Sequence, residues 1–197
     1  WPGSCEPGEH VIYVDADNPS INAAIQAVQW GGTVRIAPGP MALTETINPL
    51  GKAVTIRGAV ASDGTQPTIL FGNDTFRLIE CSSGETASTE FRNLTLLGGS
   101  ADNGGGMYNL DSSPRLVNCA FSGNTADIFG GAMYNKRSNP TITKCIFISN
   151  YAAFAGGGIY NIDSSPQMAG CELSANTVVL VGGAGIYQDG EGTTTLS

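Results

Sequence analysis

The sequence is poor in the residues on which most catalytic and nucleic-acid sites depend. It has one histidine, His10, among 197 residues, and nine basic against 17 acidic residues, for a net charge of −8. A Ser-His-Asp or Cys-His catalytic site therefore has no histidine available beyond the first ten residues of the chain. The acidic balance and the lack of a basic run argue against nucleic acid or an anionic membrane surface as a partner.

Long apolar stretches and helical periodicity are also scarce. No run approaches the ~20 apolar residues of a membrane span, so membrane insertion is not expected. Five cysteines leave at least one unpaired, which argues against a disulfide-stapled scaffold and leaves the pairing of Cys5 and Cys81 open. One segment alone has an apolar face at helical spacing. Ser20 is its predicted N-cap, Gly31 and Gly32 end it, and the face consists of Ile21, Ala24, Ile25 and Val28.

What the sequence does contain is a repeat of 26 residues. Four kinds of residue recur at this step, and a fixed period in this range indicates stacked structural units. The recurring sets are Tyr108, Tyr134 and Tyr160; Pro114, Pro140 and Pro166; Cys119, Cys145 and Cys171; and Asn124, Asn150 and Asn176.

Each repeat consists of short alternating apolar pieces between turns of Gly, Ser, Asn and Pro, which predicts strands. We therefore predict an all-β right-handed parallel β-helix with two or three strands in each coil. Residues 1–32 form a lead-in strand and a helix that caps the open core. Residues 33–197 form the coils, and the regular repeat begins near residue 94, all within one structural domain.

Two kinds of column are interpreted as structural ladders. Cys119, Cys145 and Cys171 should face the core as reduced thiols, because a straight column cannot surround a metal tetrahedrally. The asparagines at 124, 150 and 176 should hydrogen-bond from coil to coil and adopt left-handed turn geometry, as should Asn109, Asn135 and Asn161. Calcium coordination by these amides is the less favoured alternative.

Two sets of charged residues are predicted to stack between coils. One set would fix the register of the coils, and the other is a candidate metal site. Asp111, Arg137 and Asp163 should stack as alternating charges on a solvated turn, with Arg137 bridging both acids. Asp102 and Asp127, 25 residues apart, should lie side by side. They are either solvated turn carboxylates or a calcium site, and calcium is the only cofactor that the sequence leaves possible.

The tyrosine column is the candidate ligand-binding surface. If the apolar residue before each tyrosine faces the core, alternation points the rings outward. The predicted strip comprises Tyr108, Tyr134, Tyr160 and Tyr187. Such a strip suits a sugar or a protein partner, whereas the alternative is a purely structural stack.

Two stretches resemble known families. Residues 21–39 and 54–58 look like the opening of pectate-lyase-like right-handed β-helix proteins. The later Gly-Gly-[Gly/Ala]-[Met/Ile]-Tyr-Asn and Cys-x-Phe-x-x-Asn units resemble repeats of chlamydial-type polymorphic outer-membrane proteins and related bacterial surface proteins. The resemblance covers residues 11–190 and implies a β-helix in an exported bacterial protein. The fold supports lyases, hydrolases, adhesins and spacers alike.

These features together predict an extracellular or cell-surface structural and adhesive module, with no catalytic residues and a glycan or protein surface as partner. The alternative is a carbohydrate-active β-helix or its glycan-binding portion, although no catalytic motif of the resembling enzymes matches a residue here. Ice binding is disfavoured because the outward column of Thr95, Ala120, Ile146 and Glu172 lacks a threonine grid. The last coil offers no cap, so we expect a longer parent chain, end-to-end stacking into a homo-oligomer, or aggregation. A longer parent chain is favoured because the repeat is still running where the sequence stops.

Overall fold

The chain winds into a solenoid in which each regular coil contributes one strand to each of four parallel sheets. The computed structural model describes residues 10–15, 17, 20–60 and 67–197. We number the sheets in the order in which a coil passes through them. Sheet 1 comprises Val11–Val14, Thr33–Ile36, Val54–Arg57, Thr89–Arg92, Arg115–Val117, Thr141–Thr143, Gln167–Ala169 and Thr195–Leu196. Sheet 2 comprises Gly39–Ala42, Thr68–Phe71, Leu94–Leu97, Ala120–Ser122, Ile146–Ile148 and Glu172–Ser174.

The two remaining sheets close the coil. Sheet 3 comprises Ser100–Asn103, Thr125–Phe129, Tyr151–Ala152 and Thr177–Val178. Sheet 4 comprises Ile79–Cys81, Met107–Leu110, Met133–Lys136, Ile159–Ile162 and Ile186–Asp189. The expectation of two or three strands per coil was therefore too low. The strands of sheet 3 are short or interrupted by a shift in register, so they lack the alternation by which strands are predicted.

The register between coils follows the repeat. Met107 lies opposite Met133, and Phe121 lies opposite Phe147, each pair 26 residues apart. The step before the regular repeat is 25 residues long, since Leu96 lies opposite Phe121. All these side chains are fully buried in one core that runs along the axis. The two phenylalanine rings stack with centroids 5.0 Å apart, so each coil buries its apolar face against the next.

The predicted helix is confirmed as Ile21–Ala27, with Ser20 as its N-cap, but it ends earlier than expected. Val28 is already an extended C-cap, so Gly31 and Gly32 lie beyond the helix and do not end it. The Ser20 hydroxyl accepts a hydrogen bond from the Ala23 N–H at 3.1 Å. The predicted apolar face is buried in the main core. Lys52, from a later turn, donates to the Ile25 and Gln26 carbonyls at 2.8 and 3.0 Å and also to that of Val28. A cation at these unpaired carbonyls stabilises the helix end, and sequence spacing gave no sign of it.

The turns between sheets 2 and 3 differ from expectation. Left-handed geometry was expected for both asparagine columns, but none of these six asparagines adopts it. In the column of Asn124, Asn150 and Asn176, the residues before them adopt it instead. These are Gly123, Ser149 and Ala175, with φ of 59°, 56° and 52°. The left-handed residue turns the chain so that the asparagine side chain points into the coil, where it bonds to backbone and to its neighbours. No helix in the described residues is long and apolar enough to cross a membrane.

Candidate functional site

The four tyrosines form one continuous stack of rings. Their strands lie in register in sheet 4, and consecutive ring centroids are 5.2, 5.5 and 5.4 Å apart. The stack consists of Tyr108, Tyr134, Tyr160 and Tyr187. The guanidinium of Arg77 lies 4.5 Å from the centroid of the first ring and covers that end. A cation over an aromatic face is a favourable contact.

The expected exposure of this strip is wrong for its two central members. Tyr134 and Tyr160 are only 8% and 3% exposed, whereas the two end tyrosines are half-buried. The rings do point away from the main core, but the chain leaving sheet 3 folds over them. Phe129 lies 4.3 Å from the Tyr160 ring, and Ala155 packs into the same small cluster. The tyrosines therefore form a second core, and an open strip for a sugar is not present.

Burial also changes the hydroxyl groups of this second core. The Tyr160 hydroxyl donates to the Asp189 carboxylate at 2.7 Å. Burial, followed by this hydrogen bond, raises the pKa of Tyr160. Burial likewise raises the pKa of Tyr134. A phenol is already neutral at physiological pH, and the raised pKa values keep both hydroxyls neutral at higher pH as well. Ligand binding by the stack remains a prediction, and the half-buried Tyr108 and Tyr187 are the members that a ligand could reach.

The asparagine columns are hydrogen-bonded ladders. Asn124 Nδ2 donates to Asn150 Oδ1 at 2.9 Å, and Asn150 Nδ2 donates to Asn176 Oδ1 at 2.9 Å. A second, fully buried ladder joins Asn109, Asn135 and Asn161 with distances of 2.7 and 2.8 Å. Its first oxygen, Asn109 Oδ1, has no hydrogen-bond partner among the described residues. The preceding coil places Cys81 opposite Asn109, so the column of amides begins there.

A serine column, which the sequence reasoning did not single out, forms a third ladder. The Ser112 N–H donates to Ser138 Oγ at 3.1 Å, and the Ser138 N–H donates to Ser164 Oγ at 3.0 Å. At its head lies the buried carboxylate of Glu85, which accepts from the Gly51 N–H at 2.7 Å and from Ser112 Oγ at 2.9 Å. The serines keep the 26-residue step, so the repeat itself could have identified them.

The cysteine column faces the core, with two of its members buried and the third partly buried. Cys119 and Cys145 are 2% and 0% exposed, Cys171 is partly buried, and all three are free thiols. The side-chain hydrogen bond with Cys119, followed by burial, raises the pKa of Cys145. Cys81 is also a free, buried thiol, and burial raises its pKa well above the ordinary value. Cys5 lies outside the described residues.

The charged turn column is confirmed in part. Arg137 makes a two-point ion pair with Asp111, with N–O distances of 2.7 and 2.8 Å. It does not bridge to Asp163, whose carboxylate accepts the Glu191 N–H at 3.1 Å instead. A guanidinium presents a planar pair of N–H groups that matches one carboxylate, so one acid takes both donors. The side-chain hydrogen bond from Arg137 lowers the pKa of Asp111.

The candidate calcium ligands are exposed on neighbouring strands. Asp102 and Asp127 each follow the opposed pair Ala101 and Ala126 in sheet 3, and both side chains are exposed. The register shifts immediately afterwards, so two residues of one strand lie opposite one residue of the other. Within the described part of the chain, no three His, Cys, Asp or Glu side chains are grouped to hold a metal. Calcium binding by this pair of carboxylates stays a prediction.

Basic side chains converge where sheet 1 meets sheet 2. Register places Arg35, Arg57 and Arg92 in one outward column of sheet 1, which we call the arginine column. Glu90 accepts ion pairs from Arg92 at 2.6 Å and from Arg115 at 3.4 Å. The three arginines are separated by 22 and 35 residues, outside the regular repeat. No periodicity could have revealed this cluster, because the insertions between the early coils differ in length.

A shallow groove of about 220 Å³ lies beside this column and is called the corner groove below. Its polar edge is formed by Asn93, Asn118 and Lys144, and its floor includes Thr95, Ala120 and Ile146. Ala59, Val60 and Pro67 form the opposite wall. A Cβ at Gly58 would lie 2.3 Å from the Asn93 carbonyl oxygen, so glycine allows the wall to approach this closely.

Comparison with known proteins identifies the family but no individual relative. A family model described as a right handed beta helix region matches residues 51–197, which is most of the chain. Searches of curated proteins and of solved structures returned no significant match. The matched region contains the 26-residue repeats and the parallel sheets described above. The chain therefore belongs to the right-handed β-helix family.

Proposed function

We propose that this chain is a structural and adhesive module of an extracellular or bacterial cell-surface protein, and that it acts without catalytic turnover. The observation that carries the proposal is the set of side-chain ladders that join successive coils. Asparagine and serine columns form hydrogen bonds between successive coils inside the solenoid. In both cores, aromatic rings of successive coils stack on one another. Such continuous axial contacts make a rigid rod that can hold outward side chains in a fixed array.

The use of the buried polar groups supports a structural role. Each ladder amide donates within the protein, and all but the first of the second ladder, Asn109, also accept there. The Glu85 carboxylate is occupied by backbone N–H groups and a hydroxyl. These groups therefore lock one coil onto the next. The outward faces are left for recognition, and the resemblance of the repeats to bacterial surface proteins agrees with display outside the cell. The competing proposal is a carbohydrate-active β-helix of the pectate-lyase-like kind.

The two proposals are separated by an activity and retention assay. Purified protein is incubated with polygalacturonate and other acidic and neutral glycans, with and without calcium, and cleavage is followed by reducing ends and by ultraviolet absorbance of unsaturated products. We expect retention on a glycan or on whole cells and no cleavage. Robust cleavage that disappears in Asp102→Asn or Asp127→Asn would overturn the structural proposal in favour of the enzyme.

A further inference from the structure

We propose that Cys119 and Cys145 form a binding site for Cu(I), a soft monovalent cation that accepts two thiolates in line. Both cysteines belong to the column of thiols that faces the main core. Such a site goes beyond the proposed adhesive function and is independent of it, because its ligands point inward and not toward a surface that could be displayed.

The corner between sheets 1 and 2 has the same shape in three successive coils. The residue before each cysteine is left-handed, with φ of 52°, 53° and 59° at Asn118, Lys144 and Gly170. This conformation turns the chain, and the next side chain then points into the core. The residues that follow the first two cysteines, Ala120 and Ile146, lie opposite each other in sheet 2. The register therefore places the sulfur atoms of neighbouring coils in one line along the axis.

The two sulfur atoms of the proposed site face each other. A hydrogen bond between the Cys119 and Cys145 thiols is the main cause of the raised pKa of Cys145. The backbone N–H of Cys119 also donates to Cys145 Sγ at 3.4 Å. A hydrogen bond to the charged form of a group favours that form, and the thiolate is the form that binds metals. The corner thus holds a pair of thiols together with a donor that supports an ionised sulfur.

The spacing of the column selects the metal. In-register coils repeat about every 4.8 Å, and two metal–thiolate bonds of about 2.3 Å placed end to end span nearly the same distance. Thiolates favour Cu(I), zinc and iron–sulfur clusters, but zinc and the clusters need four ligands. Within the described residues, no three His, Cys, Asp or Glu side chains are grouped to supply them. Cu(I) has a filled d shell and is stable with two ligands, so it fits the pair.

Binding exchanges two thiol protons for one ion. Cu⁺ forms two Cu–S bonds, two protons pass to solvent, no electron is transferred, and the bound unit carries one negative charge. A buried charge is unfavourable unless it is compensated. The hydrogen bond with Glu90 raises the pKa of Arg92, and the nearby Cys119 sulfur acts in the same direction. Arg92 is therefore close enough to stabilise the anionic copper–dithiolate unit, and Lys144 adds a second cation at this corner.

The corner groove gives the ion a route to the site. Cys119 lines the groove beside Asn118 and Lys144, although its side chain is only 2% exposed. A single ion needs a smaller opening than an alkylating reagent does. Cu(I) therefore reaches Cys119 from the groove and takes Cys145 as its second ligand.

Transfer of copper from a coloured chelator tests the site. Reduced, folded protein is titrated into the Cu(I)–bicinchoninate complex without oxygen, and the fall in visible absorbance reports transfer. We expect one Cu(I) to bind per chain, and X-ray absorption should show two sulfur ligands at about 2.3 Å. Cu(I) should also raise the melting temperature, because the thiols are held in line only in the folded state. Zn²⁺ should leave the melting temperature unchanged.

Cys145→Ser is the informative variant, because Cys145 is the middle member of the column. Its loss leaves Cys119 and Cys171 two steps of about 4.8 Å apart, too far for one ion to join them. Affinity for Cu(I) should fall by more than about 100-fold, the upper range for loss of a group that merely supports a ligand. Cys81→Ser is the matched control and should bind as the wild type does, since Cys81 is a fully buried thiol opposite Asn109, outside the column.

A second variant covers the case in which Cys145→Ser does not fold. The double variant Cys119→Ser/Cys171→Ser keeps Cys145 but removes the thiol on either side of it, and it should lose Cu(I) binding to the same extent. Circular dichroism of each variant without copper shows whether the fold is intact. Cys171→Ser alone should keep the site, because both proposed ligands remain.

The results separate the copper site from its alternatives. Tight transfer that Cys145→Ser abolishes and Cys81→Ser preserves supports the proposal. Equal affinity of the wild type and Cys145→Ser, or a shell of three or four sulfur atoms, would overturn it. Wild-type affinity in Cys119→Ser would overturn the assigned pair and place the ion between Cys145 and Cys171. Retention on glycans or cells is measured separately on Cys145→Ser, so that failure of the adhesive function and failure of the copper site are distinguishable.

Discussion

Asn150 shows how a single side chain joins three coils. Its Oδ1 accepts from the N–H and Nδ2 of Asn124 at 3.0 and 2.9 Å, and its Nδ2 donates to the Phe121 carbonyl and to Asn176 Oδ1. The residue is fully buried, so no water can replace these bonds. A buried amide in a column is stabilising only while both of its neighbours complete it.

Replacing this amide should be costly. We expect Asn150→Ala to lower the free energy of unfolding by about 3 kcal/mol, because it leaves buried donors and acceptors unsatisfied in both neighbouring coils. Asn139→Ala, which removes a hydrogen bond on an exposed turn, should cost about 0.5 kcal/mol or less. Denaturant titration followed by circular dichroism measures both. Equal, small effects would show that the buried ladder contributes little to stability.

Thiol reactivity gives a second residue-scale prediction. Cys81, Cys119 and Cys145 are at most 2% exposed, and burial contributes to the raised pKa of Cys81 and Cys145. We expect these three to resist alkylation in the native protein, the partly buried Cys171 to react sooner, and all four to react after denaturation. Peptide mass spectrometry assigns the label to each site. Rapid native labelling of Cys145 would mean that its strand faces outward.

At the scale of the element, the turn from sheet 4 to sheet 1 uses a left-handed residue in each regular coil. Asp111, Arg137 and Asp163 have φ of 50°, 49° and 50°. This shared geometry stacks three charged side chains on the surface, although only the first two pair. Both paired side chains are about half exposed, so solvent and salt screen their attraction.

The ion pair between Arg137 and Asp111 should therefore make a small contribution to stability, and this contribution should depend on salt and pH. Arg137→Glu should lower the melting temperature by much less than Asn150→Ala does, and high salt should remove most of the difference. The Arg137 hydrogen bond lowers the pKa of Asp111 from its ordinary value of 3.8. The stabilisation is thus present above that value and is lost as the pH falls through the lower folded pKa.

Melting curves of the wild type and Arg137→Glu between pH 7 and about pH 2 test this dependence, since that range brackets ordinary carboxyl pKa values. Lys136→Gln at the neighbouring position serves as the control for loss of a positive charge without loss of the ion pair. A difference in melting temperature that persisted at high salt or grew with acid would contradict the screened surface pair.

For the whole molecule, the important feature is that each coil contacts only its neighbours. The main core is one column of side chains, and the helix Ile21–Ala27 packs at the end where the first coils begin. In such a one-dimensional structure, stability is the sum of terms within coils and between adjacent coils. Damage in one coil should therefore spread over a limited distance.

Phe147→Ala tests this property. It removes the centre of the stack between Phe121 and Leu173 and should cost about 3–5 kcal/mol, the range for a buried phenylalanine. Hydrogen exchange with mass spectrometry should show the greatest loss of protection in the coils of residues 115–174 and a small change in the first strands. Ile148→Ala, on the outward face of the same strand, is the control. Uniform loss of protection along the chain would show a single cooperative unit instead.

Local physical chemistry explains why some features could be predicted. The Ser20 cap, the inward phenylalanines and the ladders at 124, 150 and 176 depend on short-range alternation and on a constant step. A constant step forces equivalent residues into register, whatever the details of the coil. The tyrosine stack follows from the same rule, but its burial does not. Phe129 covers it only because the register of sheet 3 shifts at that point.

The sequence by itself thus determined the parallel β-helix, the cap helix and the contents of each ladder, because these follow from periodicity and turn chemistry. Only the tertiary structure decided which surfaces are open and where charge accumulates. Arg57 and Arg92 are 35 residues apart in the chain, and an irregular coil with strands in sheets 2 and 4 lies between them. The winding of the backbone brings them side by side, because strand pairing matches positions in space and takes no account of the residues inserted between coils.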